Sequence, residues 1–268
     1  MPFREVAVLV TDAQVHIWEV DRPDRPWPHF ERNPPHRPNG FSAGEMLAEL
    51  NAVGVDRAVI VPPSWVGENN ATALEAAAAH PGRFAVMGRF DPHAADARTR
   101  LDGWLQQPHM LGIRMTFHLQ PSREWLDDGS LDWFWGACER LEIPLMIFVP
   151  GMVAKAAPIA HQHPGLTLIL DHMGRGGGRG AAAFADIDDL LALAAEPRVL
   201  VKVSTVPNYS SEPYPYRDLH PFLRRIYAAF CARRLLWGAD FTRLTSSYGE
   251  CLRLFQQALD FLSAEDKE

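Results

Sequence analysis

The sequence is short of cysteine, has no long apolar run and carries no excess of positive charge, and each shortage removes a class of protein. Three cysteines, Cys138, Cys231 and Cys251, lie far apart with no CxxC pair, which excludes a disulfide framework and a thiolate zinc site. Reduced, mostly buried thiols are expected. The apolar stretch near the N-terminus runs only from Val6 to Val10 before Thr11-Asp12, too short for a signal peptide core or a spanning helix. The chain is therefore expected in the cytoplasm, with no membrane partner. A formal net charge of −7 leaves no basic face for a run of phosphates, so nucleic acid is not an expected partner. There is no GxSxG elbow for a serine nucleophile, and Gly174 to Gly180 (GRGGGRG) lacks the spacing and the lysine of a P-loop.

What is present is a regular alternation. In 268 residues, 47% of them hydrophobic, there is material for one large core. Runs rich in Val, Ile, Leu and Phe recur at 6–11, 57–62, 84–90, 111–117, 144–149, 166–170, 198–203 and 234–237, and read as buried parallel strands. Helical spacing fills the intervals at 43–53, 68–80, 94–107, 131–141, 152–163, 186–196, 217–231 and 247–262. No segment looks like an interdomain linker, so a single α/β domain over 1–268 is expected. Eight β-α units point to a closed (β/α)8, or TIM, barrel, with an open doubly wound sheet as the alternative.

Placement of the polar residues favours the barrel, because barrel chemistry sits just past the strand C-termini. A period of two from the first strand puts Asp12, Gln14, His16 and Trp18 on one face, looking inward. The sixth strand ends in Asp171-His172, the eighth in Asp240, and the fourth carries Arg114 in an otherwise apolar run. Folding needs alone do not explain four such residues, since a buried charge costs several kcal/mol unless paired. Two long loops, Glu19 to Gly40 and Ser204 to Tyr216, suit a lid or binding role. Their aromatics Tyr209, Tyr214 and Tyr216, with Trp18, Trp27 and Trp65, would stack on a flat or sugar-like ring or cover the barrel mouth.

The segments Asp12-Ala-Gln-Val-His16-Ile-Trp18, Gly112-Ile-Arg114, Asp171-His172-Met-Gly174, Val201-Lys202-Val-Ser204 and Trp237-Gly-Ala-Asp240 occur in an order that resembles the amidohydrolase-related branch of the amidohydrolase superfamily, especially pyrone-dicarboxylate lactonases and sugar lactonases. The resemblance covers nearly the whole chain and implies a (β/α)8 hydrolase. It also implies that Asp240 handles the proton of the attacking water, and that His16 and His172 bind metal or polarise the substrate carbonyl. Metal-dependent members bring two histidines from the first strand, whereas this chain has Gln14 in the first of those places, and an amide is a poor zinc donor.

The expectation is thus a metal-free lactonase without a cofactor, with Asp240, His172 and His16 catalytic. Arg114 would hold a substrate carboxylate in bidentate fashion, Gln14 would hold a ring oxygen or position His16, and Arg89 and Arg243 are either second anion contacts or rim charges. With no arginine in the loop after the seventh strand before Arg217, a dicarboxylate is not expected. The alternatives are a zinc- or manganese-dependent hydrolase or decarboxylase with His16, His172 and Asp240 as ligands, and a barrel that merely binds a small carboxylate. A homo-oligomer through the outer helices is compatible with the pattern.

Overall fold

A computed structural model, describing residues 8–28 and 34–267, realises the alternation as eight parallel strands. They are β1 (Thr11–Val15), β2 (Arg57–Ile60), β3 (Phe84–Arg89), β4 (Met110–Thr116), β5 (Leu145–Phe148), β6 (Leu168–Leu170), β7 (Val199–Ser204) and β8 (Leu235–Gly238). The helices between and after them are α1 (Ala43–Val53), α2 (Ala71–Ala79), α3 (Ala97–Asp102), α4 (Asp132–Arg140), α5 (Ala156–Gln162), α6 (Ile187–Ala192), α7 (His220–Phe230) and α8 (Tyr248–Arg253), several prolonged by short tighter or wider turns. Strand order follows chain order and every neighbour is parallel, as right-handed β-α-β crossovers require. Among the described residues no helix is long and apolar enough to cross a membrane.

Local sequence accounts for the sharpest boundaries. Ser42 caps α1 by accepting the Glu45 amide while Glu45 reaches back to the Ser42 amide, and Gly54 stops the helix in the left-handed region at φ 77°. Ser247 and Glu250 repeat the capping box on α8. Gly40 closes the long loop after β1. Its φ is +78°, and a Cβ there would lie 2.8 Å from the Trp18 carbonyl, just where Trp18 and Phe41 pair their backbones.

The first strand lies further along than its composition predicts. Of the expected 6–11, residues 6 and 7 fall outside the described residues and the ladder begins at Thr11. The polar residues Thr11-Asp12-Ala-Gln14 form strand because their side chains find partners inside the barrel and at its seam. Between β8 and β1 the sheet closes without a regular ladder. The Asp240 amide donates to the Gln14 carbonyl at 2.9 Å, and the Asp12 carboxyl takes the Ala239 amide at 3.1 Å and the Tyr248 hydroxyl at 2.7 Å. Asp12 is therefore turned to the seam and α8 rather than into the barrel with Gln14.

Two apolar bodies hold the fold. The larger lies between strands and helices and includes Leu50, Ile113, Phe134, Leu145 and Ile226. The smaller, Val61, Met87, Met146 and Ile169, plugs the barrel interior from four different strands or strand ends. Full burial of each such side chain stabilises by about 1.5–3 kcal/mol, so the plug gives a firm floor to whatever is built above it. Of the thiols, Cys138 and Cys251 are buried and Cys231 is exposed.

Candidate active site

Above the plug, at the C-terminal ends of the strands, the chain turns sharply. His172, Met173, Thr205 and Asp240 all adopt positive φ between 52° and 59° or, for Asp240, 51°. Non-glycine residues rarely do so, and the strain is held by the surrounding packing, a pattern common where side chains are aimed for function. These turns bring His16, His172 and Asp240 together from β1, β6 and β8. His16 Nε2 lies 3.3 Å from Asp240 Oδ1, and His172 Nε2 lies 3.8 Å from Oδ2. All three are buried. Asp240 Oδ1 is buried and takes no hydrogen bond from the described residues.

The hydrogen-bond partners decide what each imidazole can do. His16 Nδ1 is 2.5 Å from the Val61 carbonyl. A carbonyl only accepts, so Nδ1 carries the proton and the neutral ring turns an Nε2 lone pair inward. That lone pair faces Gln14 Nε2 at 3.2 Å. The amide is oriented in turn by Lys202, whose ammonium can only donate and bonds Gln14 Oε1. His172 is held differently. Its Nδ1 stands 2.8 Å from Ser204 Oγ and 2.7 Å from Thr205 Oγ1, two hydroxyls that can donate to it and leave Nε2–H for the cavity. Burial pushes His16 well below the ordinary histidine range, with Arg114 adding to the effect, and pushes His172 down to about 4 against the opposing pull of Asp240. Both rings are neutral at pH 7. His16 thus turns a lone pair toward the cavity, while the hydroxyls beside His172 Nδ1 allow that ring to present Nε2–H.

Beneath the histidines lies a charged layer that the sequence marks only as motif letters. Asp171 pairs with Lys202 at 2.9 Å and with Arg114 Nε at 3.0 Å. Burial would raise the Asp171 carboxyl, but Lys202 and Arg114 outweigh it and hold the group well below the usual carboxylate range. Lys202 is wholly buried, is lowered by that burial, and also touches Met146 Sδ at 3.4 Å. The layer thus stays charged and internally paired, the condition under which buried ions are tolerated.

A cavity of about 450 Å³ opens over this layer. His16, His172, Asp240, Arg114, Tyr209 and Arg243 line it, with Arg243 also over the Trp65 ring at 5.9 Å. The other expected residues lie elsewhere. Gln14 is fully buried below the cavity. Trp18 is buried edge-on against Trp65 and beside His36. Tyr214 packs on Tyr216 and against Arg253, and Tyr216 is itself buried. Trp27 is buried under the loop after β1. Lining residues not foreseen include Thr205 and His118, the latter just past the end of β4. A polar residue within two positions of an apolar strand's end was the available signal for both.

His16, His172 and Asp240 converge as three potential donors. His16 Nε2 already accepts from the Gln14 amide, whose orientation Lys202 fixes, and the ammonium and the Arg114 guanidinium stand where a dication would feel both. A zinc ligand presents its nitrogen lone pair to the ion, and here the Gln14 amide already occupies that of His16.

Comparison with known proteins agrees with this architecture. The family model described as Amidohydrolase matches residues 11–268. An L-fucono-1,5-lactonase from Burkholderia ambifaria is 27% identical over 248 residues, covering 89% of this chain and 83% of the relative. A 4-sulfomuconolactone hydrolase from Rhizobium radiobacter is 26% identical over 235 residues, 85% of this chain and 74% of that one. A crystal structure of an amidohydrolase from Burkholderia multivorans with bound zinc superposes with a TM-score of 0.80 at 21% identity, covering 97% of this chain and 95% of that chain.

Proposed function

This chain belongs to the amidohydrolase family, and from that premise we propose that it hydrolyses the ring ester of a small carboxylated lactone, with Asp240 activating water and without a metal. The observation that carries the reading is Asp240 between two neutral imidazoles, with an unbonded Oδ1, in a cavity flanked by Arg114 and Arg243. Two relatives are named for lactones, which supports this substrate class. The zinc in the similar structure belongs to that protein, and the donor set here supports a metal-free route.

In this reading, Asp240 takes a proton from water as the water oxygen bonds to the lactone carbonyl carbon, a contribution of roughly 10²–10⁴-fold. His172 Nε2–H donates to the carbonyl oxygen as it gains charge, worth on the order of 10²–10³-fold. The ring C–O bond then breaks, and Asp240 returns the proton to the departing oxygen to give a hydroxy acid. His16 does not donate. Locked by Val61 and Gln14, it forms a fixed wall that keeps donors away from Asp240 Oδ1. Arg114 keeps Nε on Asp171, and its terminal nitrogens and Arg243 receive the substrate carboxylate.

The test is hydrolysis of five- and six-membered lactones, with and without a carboxylate, by protein treated with chelator, alongside Asp240→Asn. Turnover that survives chelation and falls by about 10²–10⁴ in Asp240→Asn is expected. Activity lost on chelation and restored by zinc or manganese would overturn the metal-free route and make His16, His172 and Asp240 ligands.

A further inference from the structure

A second cavity, of about 510 Å³, adjoins the first and shares Ser64 and His118 with it as walls. Arg89 lines it from the end of β3. Two residues beyond Met87 of the interior plug, Arg89 lies on the inward face of its strand, in register with Arg114 on β4. Its backbone is clamped at both ends by one side chain: Asn70 donates Nδ2 to the Arg89 carbonyl at 2.9 Å and accepts the Arg89 amide at 2.7 Å. The position is built rather than incidental.

Arg89 is only 7% exposed, yet its guanidinium is poorly matched by the protein. Nη2 donates to Thr116 Oγ1 at 3.2 Å, while Nε and Nη1 meet no hydrogen-bond acceptor among the described residues. Glu68 lends favourable charge, but Arg114 opposes it, and Arg89 in turn helps to push His118 down to about 4, an effect led by burial. Burial lowers Arg89 to about 10, so it stays cationic at neutral pH. The other buried arginines of the site are engaged. Arg114 Nε is on Asp171, and Arg175 bonds Met173 and Ala183 carbonyls and Asp186, leaving one nitrogen, Nη2, unmatched where Arg89 leaves two. Leaving buried guanidinium donors unmatched is costly, and an oxyanion in the adjoining cavity would offset that cost.

We propose that this second cavity is an oxyanion subsite in which Arg89 binds a carboxylate or sulfonate arm of the substrate, remote from the ring carbonyl at Asp240. The proposal rests on the lactonase reading for its reaction but not for its ligand. It also changes the expectation about dianionic substrates. The loop after β7 lacks a second arginine before Arg217, and β3 supplies one instead.

The experiment has two arms. In the first, kcat and KM are measured for a lactone and for the same ring bearing a carboxylate or sulfonate arm, with wild type, Arg89→Met and Arg89→Lys. Arg89→Met is expected to raise KM for the armed lactone by about 10–100-fold more than for the bare one, with kcat within a few-fold, and Arg89→Lys to lie between. An equal loss on both lactones would mean a structural role and overturn the proposal. In the second, calorimetry follows glutarate and propanesulfonate binding to wild type and the two variants. At least tenfold weaker binding in Arg89→Met is expected for the anion class the site prefers, and equal binding overturns the proposal. Should wild type hydrolyse no lactone, the reaction assigned above fails while this second arm still decides the subsite.

Discussion

The two histidines face the same carboxylate from opposite walls, and the walls are built on opposite principles. On the β1/β8 side every hydrogen bond has one direction: Lys202 to Gln14, Gln14 to His16, His16 to the Val61 carbonyl. On the β6/β7 side His172 leans on two hydroxyls, which can each donate or accept. One wall is fixed by groups with a single option, and the other can adjust as charge develops on a substrate. The same residue type is thereby held as an acceptor on one side of Asp240 and left able to donate on the other.

Removing the origin of the fixed wall is expected to have the largest effect. Lys202→Met takes away the donor that orients Gln14 and leaves Asp171 buried with Arg114 as its remaining ion-pair partner. Breaking a buried pair from one side costs about 3–5 kcal/mol, to be read as a lower urea midpoint at unchanged m-value. A loss under 1 kcal/mol would mean that the wall is not held from Lys202. On the adjustable wall, His172→Ala is expected to lower kcat by about 10²–10³-fold. His172→Gln, whose amide N–H reaches toward the place of Nε2–H, should recover at least about tenfold of that. The comparison breaks if His16→Gln and His172→Gln behave alike.

The pH profile sharpens the contrast further. Burial puts His172 near 4, so that ring does not change charge between pH 5 and 8, and burial pushes His16 well below the ordinary range in the same direction. Neither histidine is then expected to contribute an inflection to kcat/KM in that interval. As pH falls through about 4, His172 gains a proton and pairs with the carboxylate that must act as base, so activity falls toward acid. An inflection near 6.5 that disappears in His172→Gln would show that this ring titrates like an exposed one.

How much of this was legible depends on whether the signal was local. The α1 boundaries coincide with expectation because Ser42, Glu45 and Gly54 act within a few residues. β1 was displaced because Gln14 and Asp12 are polar for reasons that lie on other strands, at Lys202 and at the Ala239 amide. His16, His172, Asp240 and Arg114 stood out as polar residues at the ends of apolar strands, and the barrel does gather them. The aromatics did not sort themselves: Tyr209 reaches the cavity while Trp18, Tyr214 and Tyr216 are packing, and nothing in an aromatic residue's own sequence position separates the two fates. Arg89 needed the structure for its meaning, since its unmet donors are a property of its neighbours.

The smallest effects should come from the hydroxyls themselves, and their pattern is the finest test of the comparison. Ser204 Oγ and Thr205 Oγ1 are within 0.1 Å of each other in their distance to His172 Nδ1, at 2.8 and 2.7 Å. Either can hold the ring with Nε2–H inward, so Ser204→Ala or Thr205→Val alone should cost no more than about 1 kcal/mol, roughly fivefold in kcat/KM. Losing both leaves Nδ1 without a donor, the ring free to take its proton there and turn a lone pair to the substrate. The double variant should therefore fall well beyond the product of the singles, with a coupling of about 1–2 kcal/mol in a double-mutant cycle. Additive singles would mean that only one hydroxyl supports the ring, and that the β6/β7 wall is as fixed as the one it faces.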